Sequence, residues 1–176
     1  SDTLLVVCDV NNPELFEMPE LYEAAGNFIV IDHHRKIGEF KNQPKLSHIE
    51  PAASSASELM SEILEQVTLP GTLPAVEANL LFAGIILDTK QFTKNTGVRT
   101  FGAALYLRSE GASPHEAQKL FRTNIHDFMR ESVFENNIQI YRDSIAFSVY
   151  DGQADGRDRI AAAKAADRLL TVEGVT

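Results

Sequence analysis

Two short apolar strands, each running directly into an acid, constrain the fold of this chain more than any other feature. Thr3-Leu4-Leu5-Val6-Val7-Cys8 leads into Asp9. Asn27-Phe28-Ile29-Val30-Ile31, bounded by Gly26, leads into Asp32-His33-His34-Arg35. Between them lie the turn signal Asn12-Pro13 and one short helical segment, Pro19 to Ala25, with proline near its start. Two strands joined by a short helical crossover make a βαβ unit, which brings both acids to the same edge of a parallel sheet. In open α/β sheets ligands bind outside the carboxyl ends of the strands.

A carboxylate, two imidazoles and a guanidinium in succession at a strand end are costly unless something binds there. A divalent metal beside a phosphate uses all four: carboxylate and imidazole for the metal, guanidinium for the phosphate. For the histidine pair alone, a hydrogen-bonded loop is the plainer reading, as is a turn or N-cap role for Asp9. The placement of both acids at one edge favours a shared site. A third acid, Asp88, ends the apolar run Leu80-Leu81-Phe82-Ala83-Gly84-Ile85-Ile86-Leu87, which is expected to be buried. A buried carboxylate needs a partner. Asp88 is therefore either a further metal ligand or the partner of Lys90 or Arg99.

The rest of the chain predicts helices more than strands. Leu46 to Ile49 reads as a brief strand. Ser55-x-x-Glu58 is a capping box, and the helix behind it puts Leu59, Met60, Ile63, Leu64 and Val67 on one face. Ser54 and Ser55 are read as caps, with a phosphate-facing amide nest as the alternative. Pro74 opens the helix that leads to Asp88, and an amphipathic helix spans about Val98 to Ser109. Ser113-Pro114 with Glu116 starts another helix. Asn124 to Asn136 predicts a connector helix. Ser144 to Tyr150 alternates like a strand. Arg157 to Leu170 predicts a helix with Ile160, Ala163 and Leu170 inward, and Glu173-Gly174-Val175-Thr176 reads as the lead-in to a further strand.

Composition narrows the function classes. The 176 residues are 44% hydrophobic and carry a formal net charge of −9. An acidic surface argues against a nonspecific grip on nucleic acid and against duplex DNA as a partner. A small anionic substrate remains compatible, since a bound metal reverses the local field. The single cysteine, Cys8, excludes an internal disulfide and fits a reducing cytoplasm; it is read as a buried strand thiol. There is no signal-peptide pattern, and the apolar run ending at Leu87 is too short to span a membrane, so no direct membrane contact is expected of this segment.

Asp9 with Val10-Asn11-Asn12-Pro13-Glu14, then Ile31-Asp32-His33-His34-Arg35, then Glu50-Pro51-Ala52-Ala53-Ser54-Ser55, then Gly84-Ile85-Ile86-Leu87-Asp88-Thr89-Lys90-Gln91-Phe92 form an ordered set. It resembles the DHH phosphoesterase family, and within it the DHH region of bacterial membrane-anchored cyclic di-AMP phosphodiesterases. The resemblance implies an α/β fold: a mainly parallel sheet with helices on both faces, then a truncated α+β DHH-associated domain. The expected divisions are a DHH core over 1–123, a connector helix over 124–137 and the start of the second domain over 138–176, which exposes apolar surface suited to a homodimer.

The resemblance also implies a two-manganese site that hydrolyses phosphodiesters. Asp9 matches a bridging aspartate, and His33 and Asp88 match ligands of one metal. His34 matches a histidine beside the substrate phosphate, and Asp32 is carried with it as a supporting site residue. Oxygen and imidazole ligands suit Mn²⁺, and zinc as well. Neighbours in an extended segment point opposite ways. His33 and His34 are therefore expected to diverge, leaving Asp32, His34 and Arg35 as the catalytic candidates on the phosphate side.

The expected reaction is opening of cyclic di-AMP to linear pApA by the cytoplasmic part of a membrane-anchored parent. A short-oligoribonucleotide phosphodiesterase and a noncatalytic ligand-sensing module are the alternatives. A His-x-x-x-Asp-x-Asp segment and a glycine- and histidine-rich substrate motif, both usual in the family, do not occur in these residues. The segment alone is accordingly expected to be inactive, with one partial metal site at most.

Overall fold

The computed structural model describes residues 3–36, 38–142 and 144–175. They form two compact units, one within residues 1–121 and one within 122–176.

The first unit is built on a three-stranded parallel sheet: β1 (Leu4–Cys8), β2 (Asn27–Asp32) and β3 (Leu46–Ile49), with β2 in the centre. Cys8 pairs with Ile31, and Asp32 with Ile49. The predicted crossover is present as a 3-10 turn over Pro13–Leu15, capped by the Asn12 side chain, followed by α1 (Pro19–Ala24). Alternation divides the strand residues between two faces. Val7, Phe28 and Val30 pack with Tyr22 and the partly buried Leu5, Phe16 and Phe40 on one face. The Tyr22 ring meets Phe16 and Phe28 edge-on at centroid distances of 5.2 and 5.1 Å. On the other face Ile31 packs with Leu59 of α2 (Ala56–Val67), alongside Ile29, Met60 and Ile63. Helices thus cover both faces of β2, as expected. Leu4, Val6 and Cys8 lie on the α2 side of β1, beyond the reach of that helix, and are exposed. The reading of Cys8 as a buried thiol is corrected by this placement.

Behind α2 stand α3 (Ala75–Asp88), α4 (Val98–Ser109) and α5 (Pro114–Lys119). Their common core contains Ala78, Phe82, Ile85, Ile86, Tyr106 and Leu107. The run to Leu87 is a helix as predicted, but it is not buried all round. Leu80 and Leu87 are exposed, because α2, α4 and α5 occupy only the side of α3 that carries Ala78, Phe82, Ile85 and Ile86. Val67, in the last turn of α2, is exposed as well. The loop between α2 and α3 is held by Glu110, whose carboxylate oxygens accept the Gly71 and Leu73 N–H groups at 2.7 and 3.0 Å.

The second unit pairs α6 (Ile125–Asn136) with α7 (Gly156–Leu169) and adds an antiparallel hairpin, β4 (Ile138–Tyr141) and β5 (Ile145–Ser148). β4 was not predicted, although Ile138 and Ile140 alternate with polar neighbours. The inward face of α7 also differs from expectation. Asp158, Ala161 and Ala165 are buried, while Ile160, Ala163 and Leu170 are exposed. Small alanines let α6 approach closely, and ion pairs across the contact hold the phase: Arg130–Asp158 at 2.7 Å, Lys164–Glu131 at 2.9 Å and Arg168–Glu135 at 2.8 Å. Asp155 is the N-cap of α7, its side chain accepting the Arg157 and Asp158 N–H groups. Val172 to Val175 forms a turn with Gly174 at φ +85°, not a strand lead-in, and Thr176 lies outside the described residues.

α3 is held against α2 at one glycine. A Cβ on Gly84 would lie 2.1 Å from Ser57 Oγ and 3.0 Å from Ser57 Cβ. On an open helix surface Gly→Ala stabilises by about 1 kcal/mol. Here we expect Gly84→Ala to destabilise by about 1–3 kcal/mol through overpacking, with Ser57→Gly restoring most of the loss. Urea unfolding of the two single variants and the double variant checks this. A stabilising Gly84→Ala would show that the α2–α3 contact is not tight.

Candidate metal centre

The parallel register sets Asp9 and Asp32 side by side at the carboxyl ends of β1 and β2. The Asp9 N–H donates to Ile31 O at 3.0 Å, closing the pair. Asp9 then leaves the strand in the left-handed region, at φ 63°. Non-glycine residues rarely adopt that conformation, and it costs of order 1–3 kcal/mol. The turn aims the Asp9 carboxylate at His33: Asp9 Oδ1 is 3.3 Å from His33 Nε2. Asp88, from the last turn of α3, approaches the same nitrogen, with Oδ2 at 3.8 Å. Three elements far apart in sequence thus converge on one imidazole nitrogen.

Asp32 points inward. It is fully buried, and its oxygens are satisfied from two sides. Asn11 Nδ2 donates to Oδ2. Oδ1 accepts the His34 N–H at 3.1 Å and faces His34 Nδ1 at 2.8 Å. Asn11 also reaches the His34 and Arg35 carbonyls at 3.2 and 3.3 Å, which ties the loop after β1 to the loop after β2.

The expected divergence of the two histidines does not occur. Their ring centroids are 4.3 Å apart, and His34 Nδ1 lies 3.9 Å from Asp9 Oδ1. β2 ends at Asp32, so strand alternation no longer applies, and the Asp32 carboxylate draws the second ring back toward the first. Asp9, His33 and His34 form a cluster whose ligand atoms lie within 4.8 Å of one another.

Electrostatics reinforce the geometry. The Asp88 carboxyl is pushed up, first by burial and then by the Asp9 charge, with His33 and His34 offsetting part of this. A carboxyl whose proton affinity is raised by burial and a neighbouring charge is relieved by a cation. His34 is raised above its ordinary value of 6.5, mainly by its hydrogen bond to Asp32 and further by the charges of Asp32, Asp9 and Asp88, against a lowering by burial. The donor set of carboxylate oxygens and imidazole nitrogen fits a divalent first-row ion.

His33 and His34 open onto a cleft of about 640 Å³, lined also by Arg35, by Pro51 to Ala53 and by Asn95 to Gly97. The Arg35 side chain is exposed there and has no partner among the described residues. Arg99, one expected partner of Asp88, is bound to Glu62 instead, at 2.8 and 2.7 Å. Sequence reading missed two sets of residues. The tie made by Asn11 was signalled only by its place in a polar turn after a strand. The 95–97 wall lies in the loop before α4, and nothing local in its sequence shows that it faces residue 35.

The His34–Asp32 bond predicts a pH dependence in the metal-free chain. The folded-state value lies above the ordinary 6.5. The stabilisation is therefore fully present below about pH 6.5 and is lost as pH rises through the folded midpoint. Histidine ring titration by NMR should place the His34 midpoint above that of a free imidazole, and Asp32→Asn should bring it down. A His34 midpoint unchanged in Asp32→Asn would contradict the bond.

Residues 2–85 match the DHH family, N-terminal domain. The cyclic-di-AMP phosphodiesterase PdeA of Listeria monocytogenes serotype 1/2a is 41% identical over 174 residues, covering 98% of this chain and 26% of the relative. The cyclic-di-AMP phosphodiesterase GdpP of Geobacillus thermodenitrificans is also 41% identical over 174 residues, covering 99% of this chain and 26% of the relative. The chain thus spans about a quarter of the length of these curated relatives. An exopolyphosphatase-related protein from Bacteroides fragilis, at 21% identity, shares the fold with a TM-score of 0.73 over 98% of this chain and 52% of that one. No helix among the described residues is long and apolar enough to cross a membrane. With the acids of two parallel strands, the Asp32-His33-His34-Arg35 run and the family match in agreement, residues 2–85 are a DHH family, N-terminal domain.

Proposed function

We propose that this chain is the DHH part of a Mn²⁺-dependent phosphodiesterase that hydrolyses cyclic di-AMP to linear pApA, working with the further length that its relatives carry. The observation that carries this reading is the approach of Asp9 and Asp88 to His33 Nε2 at 3.3 and 3.8 Å, beside an open cleft. Asp9, His33 and Asp88 are the residues that would hold the ion. A divalent ion there would supply Lewis acidity and an activated water. The chain's own groups do the rest. Asp32 accepts from Nδ1–H of His34 and favours the protonated ring, whose Nε2–H can then donate to a phosphate oxygen. The Arg35 fork binds phosphate oxygens and cannot serve as a metal ligand. In the hydrolysis, a water oxygen bonds to phosphorus, the bond to the 3′ oxygen breaks, and that oxygen takes the proton. In this reading the chain is a cytoplasmic portion of a membrane-anchored protein.

The reading is tested by metal titration and turnover on the same variants of the full-length protein. His33→Ala should lose both Mn²⁺ affinity and hydrolysis. His34→Ala should keep its Mn²⁺ affinity but lose turnover by about 100-fold or more, the scale of a removed proton-transfer group. Arg35→Ala should mainly raise KM. Equal loss of metal in His33→Ala and His34→Ala would overturn the division of roles. A wild type that ignores cyclic di-AMP but trims short oligoribonucleotides would overturn the substrate and leave the metal site standing. The 176 residues alone should bind Mn²⁺ weakly and turn over poorly.

A further inference from the structure

The cleft beside the two histidines has two walls, Pro51-Ala52-Ala53 and Asn95-Thr96-Gly97. Each wall runs directly into a helix, the first into α2 and the second into α4. One side chain joins these helices. Arg99, at the second residue of α4, grips both Glu62 oxygens of α2 at 2.8 and 2.7 Å and lies 3.9 Å from Glu58 Oε1. Glu58 is buried, and its other oxygen takes the Ser54 hydroxyl at 2.6 Å and the Ser54 N–H at 3.3 Å. Ser54 adjoins Ala53 of the first wall, and Arg99 is two residues beyond Gly97 of the second. A continuous path of charge-assisted contacts therefore runs from wall to wall.

Helix stability does not account for a cation at this position. The dipole opposes a positive charge in the first turn of a helix. An isolated exposed pair would contribute little, but this one is bidentate and extends to a buried carboxylate. The Glu62 carboxyl is held below its ordinary value chiefly by Arg99. Asn95 stands on the second wall in the left-handed region, at φ 51°, and its side-chain amide has no partner among the described residues.

We propose that Arg99 is a positioning residue for the substrate cleft: its ion pairs to Glu62 and Glu58 fix the 51–53 wall against the 95–97 wall, and so fix the fit of the nucleotide beyond the scissile phosphate. The inference rests on the phosphodiesterase reading, with the Asn95 amide meeting the polar edge of the nucleotide.

The test uses the full-length protein with Arg99→Ala, Arg99→Lys and Glu62→Gln, on cyclic di-AMP and on bis(4-nitrophenyl) phosphate, a diester without nucleosides. Misplacement by about 1 Å costs up to roughly 100-fold, and for Arg99→Ala we expect KM for the cyclic dinucleotide to rise about tenfold with kcat nearly unchanged. The aryl diester should be spared. Arg99→Lys, which cannot make the fork, should fall between. Hydrogen exchange should show amides of 52–55 and 95–97 losing protection together. Equal losses on both diesters, an unchanged KM, or loosening of one wall alone would overturn the proposal. If the wild type hydrolyses neither diester, the phosphodiesterase reading fails by itself. Hydrogen exchange then still decides whether Arg99 couples the walls.

Discussion

A carboxylate removed from solvent at the end of β2 is the constraint around which this unit is arranged. Asp32 has no exposed surface, and a buried polar group without partners would cost several kcal/mol. Its two oxygens must therefore be met, and the residues that meet them, Asn11 and His34, come from the loops after β1 and β2. Satisfying Asp32 fixes both loops at once. It also sets the orientation of His34, in the way carboxylates commonly orient functional imidazoles. The exposed acid Asp9 and the buried acid Asp32 follow neighbouring strands but are opposite in use: one approaches His33 Nε2, and the other braces the loop that carries His34.

The strained segments of the first unit lie beside this centre. Asp9 is left-handed at φ 63°, and after Asp88 three consecutive residues, Lys90, Gln91 and Phe92, are left-handed at 46°, 60° and 62°. Thr89, fully buried, anchors that turn: its hydroxyl donates to Ile85 O at 2.7 Å and accepts the Phe92 N–H at 2.9 Å. Phe92 then stacks on Phe101 at a centroid distance of 5.6 Å. Such conformations persist where surrounding packing over-determines them. Here packing on the α3 side holds a turn that ends the helix at the carboxylate facing His33.

Much of this was legible in the sequence, and the limits have physical causes. Strands ending at Asp9 and Asp32 could be read because a parallel sheet demands continuous apolar runs and its connection must be short. The helix starts at Ser55, Pro74 and Asn124 could be read because caps are local. The phase of α7 was not legible, since alanines at 161 and 165 carry too little hydrophobic signal to outweigh Ile160, and only the packing of α6 decides. The orientation of His34 was missed because it depends on a hydrogen bond to Asp32 that forms once the strand has ended. The Arg99 network was invisible for a similar reason: Glu62 and Arg99 lie 37 residues apart and meet only through the packing of α2 on α4.

The central claim is that one imidazole, His33, stands with Asp9 and Asp88 as a direct ligand while His34 is held back by Asp32. Electron spin-echo modulation of bound Mn²⁺ counts directly coordinated imidazole nitrogens. The account predicts one coordinated nitrogen per ion, lost in His33→Ala and retained in His34→Ala. Two coordinated nitrogens, or a signal that survives His33→Ala and disappears with His34→Ala, would contradict it.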